Sequence, residues 1–180
     1  MTTATTTRIP GYLQGTWDID PVHSDVSFTV RHMMVSKVRG RFSSFSGEIV
    51  TGADVADSAV SVTIDAGTID TNNDQRDAHI RSADFFEVDK HPTWTYRSTG
   101  VRVDGELTIK GVTRSVPLRV EVGGFGPDAF GGTRAGFSAS ASINRSDFGV
   151  DIQMPLDGGG VVVGEKVQIH LEIEAVLRAS

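Results

Sequence analysis

The chain has 180 residues, 20 of them glycine and none cysteine, with 17 basic against 23 acidic side chains and a formal net charge of −6. That length suits one domain with a real core, and a negative field repels nucleic acid and anionic surfaces rather than gathering them. Without cysteine there is no disulfide, thiol nucleophile or cysteine metal site, while abundant glycine beside plentiful β-branched residues suits tight turns between strands and an all-β protein.

Residues 1–15, MTTATTTRIPGYLQG, are small and polar, and are expected to form a flexible N-terminal arm ahead of a domain over 16–180. They contain no apolar stretch of the ~7–15 residues that a secretory signal needs, and no run approaches the ~20 apolar residues of a membrane-spanning helix. The sequence therefore reads as cytoplasmic, with no transmembrane segment.

TWDID at 16–20 reads as a first strand with Trp17 and Ile19 on one face, broken by Pro21. From Ser24, Val26, Phe28, Val30 and His32 share one face, and Asp25, Ser27, Thr29 and Arg31 the other. In the next strand Lys37, Arg39 and Arg41 stand at spacing two, with Val38, Gly40 and Phe42 behind them. This basic stripe reads either as a holder for an anionic headgroup or as a solvated face paired to carboxylates on a neighbouring strand. Val60, Val62 and Ile64 point inward from a strand over 58–65.

Residues 68–92 break the strand pattern. Asn72, Asn73 or Asp74 can cap a helix over about residues 74–82, on which Asp77 and Arg81 are four apart and can pair while Arg76 and His79 share a face. Asp77 and His79, two apart, point away from each other, so no local acid–base dyad forms on that helix; as a base or ligand His79 needs a partner from elsewhere. Phe85 and Phe86 follow, one to cap the core and one to line a mouth, or both as core.

Residues 93–124 read as three strands with turns at Asp104-Gly105 and Gly111, the last carrying Val116, Leu118, Val120 and Val122 as an inward row. The glycine-rich turn at 123–132 lacks the Lys-Ser/Thr of a phosphate cradle. Along 133–143 Ala135, Phe137, Ala139, Ala141 and Ile143 share one face and Gly136, Ser138, Ser140 and Ser142 the other; small inward side chains on so long a strand either let another element pack close or leave room inside a barrel. The long connection 144–164 suits a lid or binding loop. The final strand puts Val167, Ile169, Leu171, Ile173, Ala175 and Leu177 on one side. There is no G-x-S-x-G elbow. The histidines His23, His32, His91 and His170 have no metal-ligand spacing.

Taken together, WDIDPVHSDVSFTVRH at 17–32, VRGRFSSFSGEI at 38–49, IDTNNDQRDAHIRSADFFEVDKHP at 69–92, GELTIKGVTRSV at 105–116 and INRSDFGV at 143–150 resemble one family, the YceI-like proteins, bacterial lipocalin-like polyisoprenoid-binding proteins. The resemblance implies an extended eight-stranded antiparallel lipocalin-like barrel whose apolar interior takes a polyisoprenoid or isoprenoid quinone. It implies no established catalytic residues and no cofactor besides such a lipid, and it makes a homodimer an expectation. Many relatives carry an export signal.

The strand alternation then assigns Phe28, Val30, Phe42, Val62, Ile64, Trp94, Tyr96, Phe137, Ile143, Ile169 and Leu171 to the interior, with Phe85, Phe86, Phe148 and Met154 near the mouth. Candidates for holding a headgroup are Arg76, His79, Arg81 and the stripe Lys37, Arg39 and Arg41. Two other readings share these residues: an enzyme acting on a small apolar substrate through His79, Arg76 or Asp77, and a filled barrel acting through its outer surface in stress response.

Overall fold

Alternating side chains become a single antiparallel sheet in the computed structural model, which describes residues 9–33, 35–54, 57–98, 104–152 and 163–179. The strands are β1 (Gly15–Ile19), β2 (Asp25–His32), β3 (Ser36–Phe42), β4 (Phe45–Thr51), β5 (Ala59–Asp65), β6 (Ile69–Asp70), β7 (Thr93–Ser98), β8 (Asp104–Ile109), β9 (Val112–Pro117), β10 (Arg119–Pro127), β11 (Thr133–Asn144) and β12 (Val163–Leu177). One helix, α1 (Asp74–Arg81), interrupts them.

β12 organises the sheet. Along one edge it pairs with β11 from Arg134↔Val176 to Asn144↔Lys166. Its other edge is shared, β2 taking the first part (Ile169↔Phe28) and β1 the last (Ala175↔Ile19). β1 and β2 are thus two pieces of one long strand, parted at residues 20–24, where Pro21 has no N–H to give. The break is stitched by Ser24, whose hydroxyl donates to the Glu174 carbonyl at 3.2 Å and accepts from the Glu174 N–H at 3.0 Å.

β3 and β4 are likewise parted at Ser43 and Ser44. From β1 the ladder runs through β4, β5, β7 and β8 to β9, and from β2 through β3 to β6. The all-β, antiparallel class holds. The expected eight strands are twelve, because two long strands are each broken, two-residue β6 adds an edge to β3, and Leu118 divides β9 from β10. Among the described residues the ladder does not close: β9 comes alongside β11 without pairing to it.

Two details depart from the pattern. Asp104-Gly105 makes no turn but opens β8, with Gly105 opposite both Ser98 and Val116. A Cβ at Gly105 would stand 2.3 Å from Tyr96 Cζ, so glycine is there to let that ring lie against the strand. Val120 and Val122 do not continue the inward row of Val116; both are exposed on β10, beyond the break at Leu118.

The interior changes character along its length, as the inward row of β12 shows. Ala175 is fully buried with Trp17 and Ala135, in a cluster joined by Phe125 and Phe137. Trp17 meets Phe125 edge-on at 5.4 Å and donates from Nε1 to Thr51 Oγ1 at 2.9 Å, so this end is solid. Leu171 and Ile173 pack against the main core of Val26, Phe42, Val62, Tyr96 and Leu107. At the other end Val167 and Ile169 face open space.

An apolar cavity beneath the helix

That open space is a cavity of about 500 Å³, within the size range of small-molecule sites. Its walls come from the end of β2 (Phe28, Val30), β3 (Val38), the start of β7 (Trp94), the end of β8 (Ile109), the end of β11 (Ile143) and the start of β12 (Val163, Val167, Ile169). Phe28 reaches in because β3 carries glycine beneath it: a Cβ on Gly40 would stand 2.3 Å from Phe28 Cζ.

Helix α1 and the segment after it cover this space with Ile80, Phe85 and Phe86. Asn73 is the N-cap, its side-chain oxygen accepting from the Arg76 N–H at 2.9 Å. Asp77, expected to pair with Arg81, is instead buried and accepts from the Thr71 N–H at 2.9 Å and the Thr71 hydroxyl at 2.5 Å. Arg76 bends back to the same residue, donating from Nε to Thr71 Oγ1 at 2.7 Å and from Nη2 to the Thr71 carbonyl at 2.6 Å. Thr71 is thus a peg to which both charged residues are tied, and the carboxylate near the helix N-terminus also suits the helix dipole.

Past the helix, the Phe86 N–H donates to the Ile80 carbonyl and the Val88 N–H to the Arg81 carbonyl, folding the two phenylalanines back under α1. His79 Nε2 lies 2.9 Å from Asp84 Oδ2, and its ring meets Phe85 edge-on at 5.0 Å.

Polar side chains also border the cavity: Arg31, His32, Asn73, Gln75, Arg76, His79 and Arg145, with no Asp or Glu among the described lining residues. Arg145 is the residue that strand alternation does not find. It begins a 3-10 turn (Arg145–Phe148) that ends on Gly149 in the left-handed conformation, φ 76°. This turn carries its side chain inward, where it is buried. Its Nε donates to the Gly164 carbonyl at 3.0 Å, Nη1 to Val150 at 2.8 Å and Nη2 to Val163 at 3.3 Å. No carboxylate pairs with it among the described residues.

Of the residues assigned from the sequence, Phe28, Val30, Phe85, Phe86, Trp94, Ile143, Phe148 and Ile169 line the cavity. Phe42, Val62, Ile64, Tyr96 and Leu171 lie in the filled core, and Phe137 lies in the Trp17 cluster. Met154 falls outside the described residues. Arg76 and His79 border the cavity, Arg81 is half-buried at the end of α1, and Lys37, Arg39 and Arg41 project from β3 into solvent. Val38, Ile80, Ile109, Val150, Val163, Val167 and the polar group of Arg31, His32, Asn73, Gln75 and Arg145 join the lining unforeseen. Among the described residues no group of three His, Asp or Glu side chains is placed to hold a metal ion, and no helix is long and apolar enough to cross a membrane.

One antiparallel sheet, solid at one end and hollow beneath a helix at the other, defines a lipocalin-like β-protein with an internal cavity. The family model of the YceI-like domain matches residues 17–175, and the chain belongs to that family. It is 38% identical over 144 residues to a UPF0312 protein of Vibrio cholerae, covering 75% of this chain and 76% of that one. A UPF0312 protein of Pseudomonas aeruginosa is 34% identical over 167 residues, 88% and 84% of the two chains.

Among solved structures, a YceI protein of Campylobacter jejuni is 28% identical with a TM-score of 0.68, over 83% of this chain and 90% of that one. A polyisoprenoid-binding domain from Saccharophagus degradans, implicated in plant cell wall breakdown, shares the fold with a TM-score of 0.71 at 16% identity, over 92% and 100% of the two chains.

Proposed function

We propose that the protein binds an amphiphile of the polyisoprenoid or isoprenoid-quinone type in this cavity, and carries or sequesters it. The observation that carries the reading is the cavity's division of labour: aromatic and branched aliphatic walls inside, arginine, histidine and amide side chains at its border. The Saccharophagus degradans domain, named for polyisoprenoid binding, lends support from a protein of the same fold.

Energetics favour the same ligand class. Each buried isoprene unit, with five carbons, offers on the order of 3–4 kcal/mol, so a few units offset the lost translational and chain freedom without any charged anchor. The bordering Arg31, Arg76 and Arg145, in a chain of net charge −6, suit a head that is anionic or rich in acceptor oxygens.

Organic extraction and mass spectrometry of the purified protein test the reading, together with titration by prenyl alcohols, diphosphates and quinones. A copurified prenyl lipid and saturable binding are expected; neither copurified lipid nor saturable binding would sink it. A second reading, turnover of a small apolar substrate, draws on the pairing of His79 with Asp84 beside the cavity. Under it, His79→Ala abolishes turnover with ligand affinity intact, whereas the binding reading expects no turnover to lose.

A further inference from the structure

Trp94 lines the cavity and is 7% exposed, yet its indole Nε1 is a buried donor with no hydrogen-bond partner among the described residues. Such an orphan is uncommon, because burying an N–H without an acceptor forfeits its hydration in full. Trp17 makes the contrast: its Nε1 is equally enclosed but donates to Thr51 Oγ1 at 2.9 Å. Two rings pack edge-on against the Trp94 indole, Phe42 at 4.8 Å and Phe86 at 4.7 Å. Of these Phe42 belongs to the filled core, whereas Phe86 also lines the cavity and is half-buried on the segment after α1.

We infer that Trp94 is a specificity-determining residue, donating its indole N–H to an acceptor oxygen of the bound lipid, reached as the Phe86 ring turns aside. The inference rests on the proposed binding function and narrows it. A ligand with a carbonyl or ether oxygen near its prenyl chain, as in a quinone, satisfies a donor that a plain hydrocarbon leaves empty. The polar end of the lipid then lies in the space beneath α1, which Arg76 and His79 also border.

Nε1 is itself closed off in the free protein. The discrimination comes from a donor already unpaired in the free protein: a ligand that brings an acceptor gains a hydrogen bond there, whereas the hydrocarbon leaves the donor as it was.

The test uses full-length protein labelled with ¹⁵N at tryptophan, whose two tryptophans give two indole N–H cross-peaks. Trp94→Phe assigns them, or, if that variant does not fold, nuclear Overhauser contacts to Phe86 do so. The probes are a short prenylated benzoquinone and the prenyl hydrocarbon of the same chain length, with the methyl groups of Val167 and Ile169 reporting occupancy. The quinone is expected to move the Trp94 proton downfield and to weaken its contact with Phe86, leaving the Trp17 peak in place; the hydrocarbon is expected to occupy the cavity without that shift. Trp94→Phe should lower the quinone-to-hydrocarbon affinity ratio about tenfold. An equal shift with both probes, no shift with the methyls perturbed, or equal loss of both affinities overturns the inference. Unmoved methyls with either probe instead overturn the binding reading on which it rests.

Discussion

Arg145 is a buried cation whose acceptors are all main-chain carbonyls. The three it holds belong to Val150, Val163 and Gly164, joining the 3-10 turn to the start of β12 at the cavity wall. Arg145→Met keeps much of the volume but leaves those acceptors unpaired, so a loss of about 2–5 kcal/mol is expected in urea unfolding. Arg145→Lys retains the charge without the planar fork and should fall between; a methionine variant as stable as the parent would show that the guanidinium is dispensable. Gly40 makes a steric prediction. Alanine there meets the Phe28 ring at 2.3 Å, so Gly40→Ala should cost about 1–3 kcal/mol in the same assay, with lipid affinity falling as Phe28 shifts. Strand alternation exposes the inward aromatics but cannot reveal Arg145, because the turn that redirects it ends the alternation.

At the scale of elements, α1 is tied to Thr71 by an internal peg, and that peg takes Asp77 away from the partner its helical spacing predicts. Helical spacing makes Asp77 and Arg81 natural partners, and the cap is legible to within Asn72, Asn73 and Asp74, yet Thr71 lies only six residues before Asp77 and offers both an N–H and a hydroxyl. A carboxylate turned inward to two donors wins over an exposed ion pair of about 0.3–0.5 kcal/mol. Asp77→Ala removes that acceptor, so faster amide hydrogen exchange is expected in α1 and the Phe85–Phe86 segment, with the strands unaffected. Uniformly faster exchange would mean that the helix is not separately anchored.

Across the sheet, Arg134 on β11 ties Asp20, in the break between β1 and β2, at 2.8 Å, and also meets Asp128 and Glu174 at 3.2 Å. Hydrogen bonds from Arg134 and then His23 hold the Asp20 carboxyl well below its usual range. With the folded value depressed, this stability is present above about pH 4, the unfolded value, and is lost as pH falls through it towards the folded value. Asp20→Asn should therefore narrow the stability difference between pH 6 and pH 3, measured by urea titration at each pH.

For the whole molecule the decisive property is a gradient that composition conceals. The inward residues of β12 read alike from Val167 to Leu177, yet Val167 and Ile169 face a cavity, Leu171 and Ile173 a packed core, and Ala175 a closed aromatic cluster. Periodicity says which way a side chain points, not what it meets, so a hollow interior is not legible from it. What meets each residue depends on partners far away in sequence: Trp17 and Phe125 fill one end, whereas α1 covers the other without filling it. A matched pair of substitutions on one strand separates the two ends. Val167→Trp adds volume where there is space, so it should block lipid uptake while leaving the melting temperature nearly unchanged. Ala175→Trp adds the same ring where Ala175 is fully buried against Trp17 and Ala135, and overpacking there should lower the melting temperature sharply or prevent folding. Equal destabilisation by both would mean that the space beneath α1 is not a preformed cavity, and retained lipid binding in Val167→Trp would place the ligand elsewhere.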